Sequence, residues 1–95
     1  MELVQTGIAG TMESGDIYVE IEPGEPGDVA IDLDSTVGSE FGGQIRDAIR
    51  QTLSACGLGG VRVRVVDKGA LDCTIRARVT AAAYRGANRD DFNWR

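Results

Sequence analysis

The amino-acid sequence predicts a single α+β domain, a small ββαβα sandwich in which a mainly antiparallel three-stranded sheet carries two helices on one face. Three observations lead there. Apolar and polar residues alternate in three short stretches, 17–22, 29–34 and 61–66. In two longer stretches the apolar residues recur at three-to-four spacing instead. Clusters of glycine and proline separate the stretches, PGEPGD at 23–28 and GLGG at 57–60.

The elements follow in order. In IYVEIE, Ile17, Val19 and Ile21 fall on one side and Tyr18, Glu20 and Glu22 on the other, the period of a strand with one face in water. VAIDLD repeats the pattern with Val29, Ile31 and Leu33 inward and Ala30, Asp32 and Asp34 outward. The link between them holds both prolines and two glycines, so the two strands are expected to pair as a hairpin with a longer connection. Val37, Phe41, Ile45, Ala48, Ile49, Leu53 and Cys56 then form one helical stripe. Ser35 or Thr36 is its expected cap, because a side-chain oxygen there can accept from the free N–H groups of the first turn. GLGG should end that helix. VRVRVV sets Val61, Val63 and Val65 on one face and Arg62 and Arg64 on the other, across from the acidic strands. A second helix should start near Ala70 and run through Leu71, Ile75, Val79 and Ala82 to about Tyr84, with Asp67 or a neighbour as its cap. The domain so defined covers residues 1–86. Residues 87–95 form a tail with Phe92 and Trp94, read as either disordered or docking. The pattern is not that of a four-helix bundle.

Composition narrows the chemistry. A chain of 95 residues buries only about 60–65% of the surface its unfolded form exposes, so a deep enclosed cavity is not expected. No apolar run approaches the ~18 residues of a membrane span, and MELVQTGIAG lacks the basic start of a signal peptide; the expected setting is cytoplasmic, with no membrane partner. Histidine is absent, and Cys56 and Cys73 have no CxxC spacing, so neither a metal site nor a disulfide framework is indicated. Both cysteines are expected to be buried as small apolar side chains. Residues 1–45 hold ten acidic residues and no lysine or arginine, whereas 46–95 hold ten basic residues and five acids. The acidic half would repel a phosphate backbone, which disfavours nucleic acid as a partner. It is either a solvated sheet face or a docking surface for a basic protein.

Candidates for catalysis are few. A Ser/His/Asp set is impossible without histidine, and Lys68 is the single lysine that could serve a serine as base, with nothing in the sequence to place it near Ser14. The carboxylates recur on the outer sides of strands, and the glycine-rich stretches lack the lysine of a phosphate-binding loop. No catalytic residue and no metal ligand are therefore assigned. GTMESGD at 10–16 remains. A serine that accepts a phosphodiester-linked arm needs no base of its own, because a separate transferase supplies one; it needs exposure and small neighbours. Ser14, beside Gly15, meets both, and the acids flanking it would discourage a phosphate-rich arm from lying flat. A plain Ser-Gly-Asp turn opening the first strand explains the same residues.

AGTMESGD at 9–16, FGGQIRDAIRQTL at 41–53 and DKGALDCTIRAR at 67–78 together resemble the acyl carrier protein, or gamma chain, of citrate lyase, over residues 4 to 85 or so. That resemblance implies a non-catalytic subunit bearing 2′-(5″-phosphoribosyl)-3′-dephospho-CoA, phosphodiester-linked to Ser14. Glu13, Gly15 and Asp16 would be the local shape read by the attaching transferase. It also implies an acetylating ligase, an alpha chain exchanging acetyl for citryl on the arm's thiol, and a beta chain splitting the citryl thioester into oxaloacetate and the acetyl carrier. The DKGALDC turn is a second docking element or simply a helix cap. Residues 22–40 match the family poorly, and 86–95 have no evident counterpart. Within 22–40, Asp34-Ser35 is similar to the anchor of ordinary helical carriers, although a strand precedes it and capping accounts for Ser35. The neighbouring assignments are a carrier for citramalate lyase or malonate decarboxylase, and an acidic interaction adaptor bearing no arm.

Overall fold

The computed structural model describes residues 1–89, with six elements: β1 (Gly7–Ala9), β2 (Ile17–Pro23), β3 (Val29–Ser35), α1 (Gly38–Ala55), β4 (Val61–Asp67) and α2 (Asp72–Gly86). The strands form one sheet in the order β1-β2-β4-β3. β2 is antiparallel to both β1 and β4, whereas β3 runs parallel to β4. The α+β sandwich with helices on one face is as the sequence predicts, with one strand more.

The alternation sets the core. Ile17, Val19 and Ile21 of β2 and Val61, Val63 and Val65 of β4 are buried under the helices, each removal of such a side chain from water stabilising by about 1.5–3 kcal/mol. Ile45, Ala48, Ile49 and Leu53 of α1 and Ile75, Val79, Ala82 and Ala83 of α2 meet them. α1 lies over β3, and α2 lies over β1 and β2. On the opposite face Glu20 faces Arg64 and Glu22 faces Arg62, and both pairs form salt bridges. That face is thus charge-paired, not uniformly acidic, each exposed pair contributing ~0–1 kcal/mol.

Four expectations change. β2 and β3 do not form a hairpin, because β4 inserts between them; a strand, an 18-residue helix and a returning strand close as a parallel crossover. That leaves β3 at the sheet edge, where Val29, Ile31 and Leu33 face the core but are only half-buried. The added strand, β1, is three residues long and hides behind a glycine: a Cβ on Gly7 would stand 1.8 Å from the Ala82 carbonyl oxygen, so the close approach of β1 to α2 requires glycine there. The buried stripe of α1 also begins later than its spacing implies, since Phe41 is exposed. Finally, Cys73 is exposed on the first turn of α2, and only Cys56 is partly buried, its thiol pushed up in pKa by that burial.

The helix ends differ in detail. Gly57 N–H bonds to Ser54 O and Leu58 N–H to Leu53 O, closing α1 where GLGG was expected to. α2 begins at Asp72 and not at Ala70, because residues 67–70 form a turn of their own in which Ala70 N–H donates to Asp67 Oδ1. Neither Ser35 nor Thr36 caps α1, and Asp67 does not cap α2; neither helix has a side-chain cap bond. α2 continues through Gly86, whose carbonyl accepts the Val4 and Gln5 N–H groups. Phe92 and Trp94 lie outside the described residues.

Candidate functional site

The residues of GTMESGD form the loop between β1 and β2, and DKGALDC leads from β4 into α2. The antiparallel ladder of β2 and β4 brings them together. Its register ends with Ile17 opposite Asp67. Two further bonds extend it, Lys68 N–H to Asp16 O at 2.9 Å and Gly15 N–H to Lys68 O at 2.7 Å. Ser14 therefore stands on a turn fastened to the ends of the two central strands.

Its own residues shape that turn. Asp16 N–H donates to Glu13 O at 3.0 Å, closing a four-residue turn with Ser14 and Gly15 at its centre. Gly15 has a φ of +82°, the left-handed value that a type II turn requires at its third position. Nothing lies within 4 Å of where a Cβ on Gly15 would be, so the space around the serine is open. Ser14 and Glu13 are exposed, and the Ser14 hydroxyl has no hydrogen-bond partner among the described residues.

Asp16 is the fastening of the loop. Arg78 on α2 donates to both carboxylate oxygens, Nε to Oδ1 at 3.1 Å and Nη2 to Oδ2 at 2.9 Å. Thr11 Oγ1 donates to Oδ2 at 2.7 Å, and Ile17 N–H donates to Oδ1 at 2.7 Å. The Arg78 bonds, helped by those from Thr11 and Ile17 and opposed by burial, lower the Asp16 pKa from 3.8 to about 2. Its charge is answered by Arg78, so the surface beside Ser14 is less acidic than the sequence implies; Glu13 alone of the two flanking acids remains in water.

Ser35 stands on the other side of the same turn at 67–70 and is built differently. Its Oγ donates to Asp67 Oδ2 at 2.8 Å and accepts the Val37 N–H at 3.1 Å. Thr36 N–H donates to the Asp67 carbonyl. Asp67, buried at 1% exposure, joins β3, β4 and the turn. Ser35 is half-buried and bonded, whereas Ser14 is exposed and free.

The sequence assigned Ser14, Glu13, Gly15 and Asp16, and all four share this one turn. Arg78, Thr11 and Lys68 were not singled out as its support. Arg78 lies 62 residues from Asp16, and no local pattern joins an arginine within a helix to an aspartate ahead of a strand. Among the described residues no cluster of three or more His, Cys, Asp or Glu side chains could hold a metal ion. No helix there is long and apolar enough to cross a membrane.

The site is therefore an exposed, unbonded serine on a turn fastened by the Gly15 and Lys68 backbones and by the Asp16–Arg78 pair. Residues 4–86 match the family described as ACP: malonate decarboxylase delta subunit (MdcD). The whole chain is 48% identical to the citrate lyase acyl carrier protein of Streptococcus uberis (strain ATCC BAA-854 / 0140J), over 93% of that protein's length. It is 43% identical to the citrate lyase acyl carrier protein of Streptococcus pyogenes serotype M5 (strain Manfredo), with the same coverage. The fold is similar to a chain in the crystal structure of a Pseudomonas malonate decarboxylase hetero-tetramer in complex with malonate, with a TM-score of 0.69 and 21% identity over 88% of this chain and 81% of that one. The chain belongs to the citrate lyase acyl carrier protein family.

Proposed function

We propose that this chain is the carrier subunit of citrate lyase and that Ser14 anchors its prosthetic arm, 2′-(5″-phosphoribosyl)-3′-dephospho-CoA. The observation carrying the reading is the free, exposed hydroxyl on a turn held by its backbone and by Asp16, so that an attaching enzyme meets a fixed shape and an unengaged nucleophile. Ser14 Oγ forms the O–P bond of the phosphodiester, its proton passes to the transferase's base, and the donor's activating phosphate leaves. Glu13 and Gly15 present the recognised surface, and Asp16 holds it in place. When bound, the arm supplies a thiol that bears acetyl or citryl as a thioester.

This chain's own part is mechanical. A tethered thioester reaches two partner sites at a high effective concentration without new contacts, provided the anchor is exposed and the body rigid. The catalytic groups belong to the alpha chain, which exchanges acetyl for citryl, and to the beta chain, which cleaves citryl to oxaloacetate. An acetylating ligase charges the arm, and the cycle runs in the cytoplasm.

Intact mass with peptide mapping of the protein from its native host tests this. The arm's added mass on the Ser14 peptide is the expected result. The same mass on the Ser35 peptide would keep the carrier and remove the anchor. An unmodified chain from cells actively degrading citrate would favour an adaptor without an arm. Reconstitution with partner chains separates citrate from citramalate and malonate as the acid processed.

A further inference from the structure

Two further features lie beside the Ser14 turn. One is the Lys68 side chain. Its backbone is bonded to Gly15 and Asp16, yet its ammonium has no partner among the described residues. The other is an open apolar groove of about 340 Å³, which starts at the next residue, Gly69. Gly69, Ala70 and Leu71 form one wall, and Val37 and Phe41 at the start of α1 form the other, with Gln44 as an amide on its rim. Leu71 is 71% exposed and Phe41 44%, two large apolar side chains left in water at one end of the molecule. The volume is at the low end of the ~300–1,000 Å³ range of small-molecule sites.

Anchor, cation and groove are contiguous. From the Lys68 carbonyl that accepts the Gly15 N–H, the groove wall begins one residue on, a span of about 4 Å between successive Cα atoms. Of the acids nearby, Asp16 is directed onto Arg78 and Asp72, on the groove's lining, onto Arg76, while Glu13 stays in water; Lys68 offers its charge uncommitted. We infer that the arm on Ser14 folds back along this track, its diphosphate against the Lys68 ammonium and the neutral pantetheine segment that follows it in the Phe41/Leu71 groove. Charge complementarity selects the occupant: in the arm the neutral, amide-bearing pantetheine follows directly on the anionic diphosphate, and that order fits a lysine followed by an apolar groove with an amide at its edge. The contact is shallow and open, so it holds the thioester between visits to partner sites and releases it on docking.

The inference rests on the carrier reading, and the test keeps the two apart. The full chain is prepared unmodified and, by co-expression with the attaching enzymes, with its arm acetylated; intact mass is read first on every sample. Amide spectra of the two forms are then compared. Expected are shifts at 69–71, Phe41 and Gln44 in addition to those at 12–16. The groove shifts should vanish in Phe41→Ser/Leu71→Ser, which keeps its arm by mass. Lys68→Gln should weaken them roughly two- to fivefold, the scale of an exposed ion pair. Leu71→Ser alone is the safeguard if the double variant misfolds, since that side chain lies mostly in water. With the arm present by mass, shifts confined to 12–16 and Lys68, or groove shifts unchanged in the variants, would overturn the track and leave the carrier standing. A chain that takes up no arm at all would overturn both.

Discussion

Ser14 and Ser35 each follow an acidic residue, and each stands against the turn at 67–70, but the molecule uses them in opposite ways. At Ser35 the side chain makes the structure: its hydroxyl links β3 to the buried Asp67 and holds the chain as it enters α1. At Ser14 the structure is made by everything except the serine, by the Gly15 and Lys68 backbones and by the Asp16–Arg78 pair. The attachment proposed for Ser14 requires a rigid backbone and an unemployed side chain together. A hydroxyl already bonded on both sides would have to leave its partners before it could react.

The sharpest way to break the comparison is to remove each hydroxyl. Ser14→Ala should abolish addition of the arm completely while changing stability by no more than ~0.5 kcal/mol, as an exposed, unbonded side chain does. Ser35→Ala should be modified in full and lose about 1–2 kcal/mol. Intact mass and urea denaturation read both; a Ser35→Ala chain that refuses the arm would reverse the assignment.

Asp67 ties the Ser35 loop to the turn at 67–70, so its loss should disturb both together. Asp67→Ala strips the Ala70 N–H and the Ser35 hydroxyl of their acceptor, and the expected cost is about 2–4 kcal/mol. Hydrogen exchange should show weakened protection at Ala70 and Val37. Unchanged protection at either would mean that Asp67 does not tie the Ser35 loop to the turn at 67–70.

Acid separates the loops next. Asp16 has its folded pKa lowered from 3.8 to about 2, so its contribution is fully present above pH 3.8 and is lost as pH falls toward 2. Through that window stability should fall by about 1–2 kcal/mol on this account. In Arg78→Ala the Asp16 pKa returns toward its ordinary value and this part of the acid dependence flattens. A slope identical in both proteins, measured by denaturation at stepped pH, would show that the pair does not fasten the Ser14 loop.

Gly15→Ala should have a mild effect on both stability and attachment. It meets no neighbouring atom, and only the left-handed φ of +82° stands against it, a cost of about 1–2 kcal/mol or less. The arm should still attach, more slowly if the transferase reads the turn's shape. A loss of stability above that scale would point to a contact that the open space around Gly15 does not contain.

Much of this was legible in the residues. The alternation at 17–22 and 61–66 located the buried strands, and ESGD and DKGALDC were singled out as motifs, which the structure brings side by side. β1 was not legible, because three residues, one of them a glycine pressed against α2, carry no period. The parallel pairing of β3 with β4 was within reach: two strands joined by a long helix close as a parallel crossover, and that rule outweighs the turn-rich link between β2 and β3. Phe41 and Cys73 were misplaced for different reasons. Helical spacing assigns a face, but it does not say how far along the helix the facing sheet extends, and the usual burial of free cysteine is an average that ignores where on α2 Cys73 falls.

Taken alone, the chain determined its elements, their inward faces and the serine at the head of β2, because propensity, period and turn chemistry act over a few neighbouring residues. The tertiary structure decided which strands adjoin, that Arg78 would answer Asp16 across 62 residues, and that Ser35 would be bonded while Ser14 stayed free. Those outcomes depend on burying two helices against one twisted sheet, a condition set by the whole chain at once.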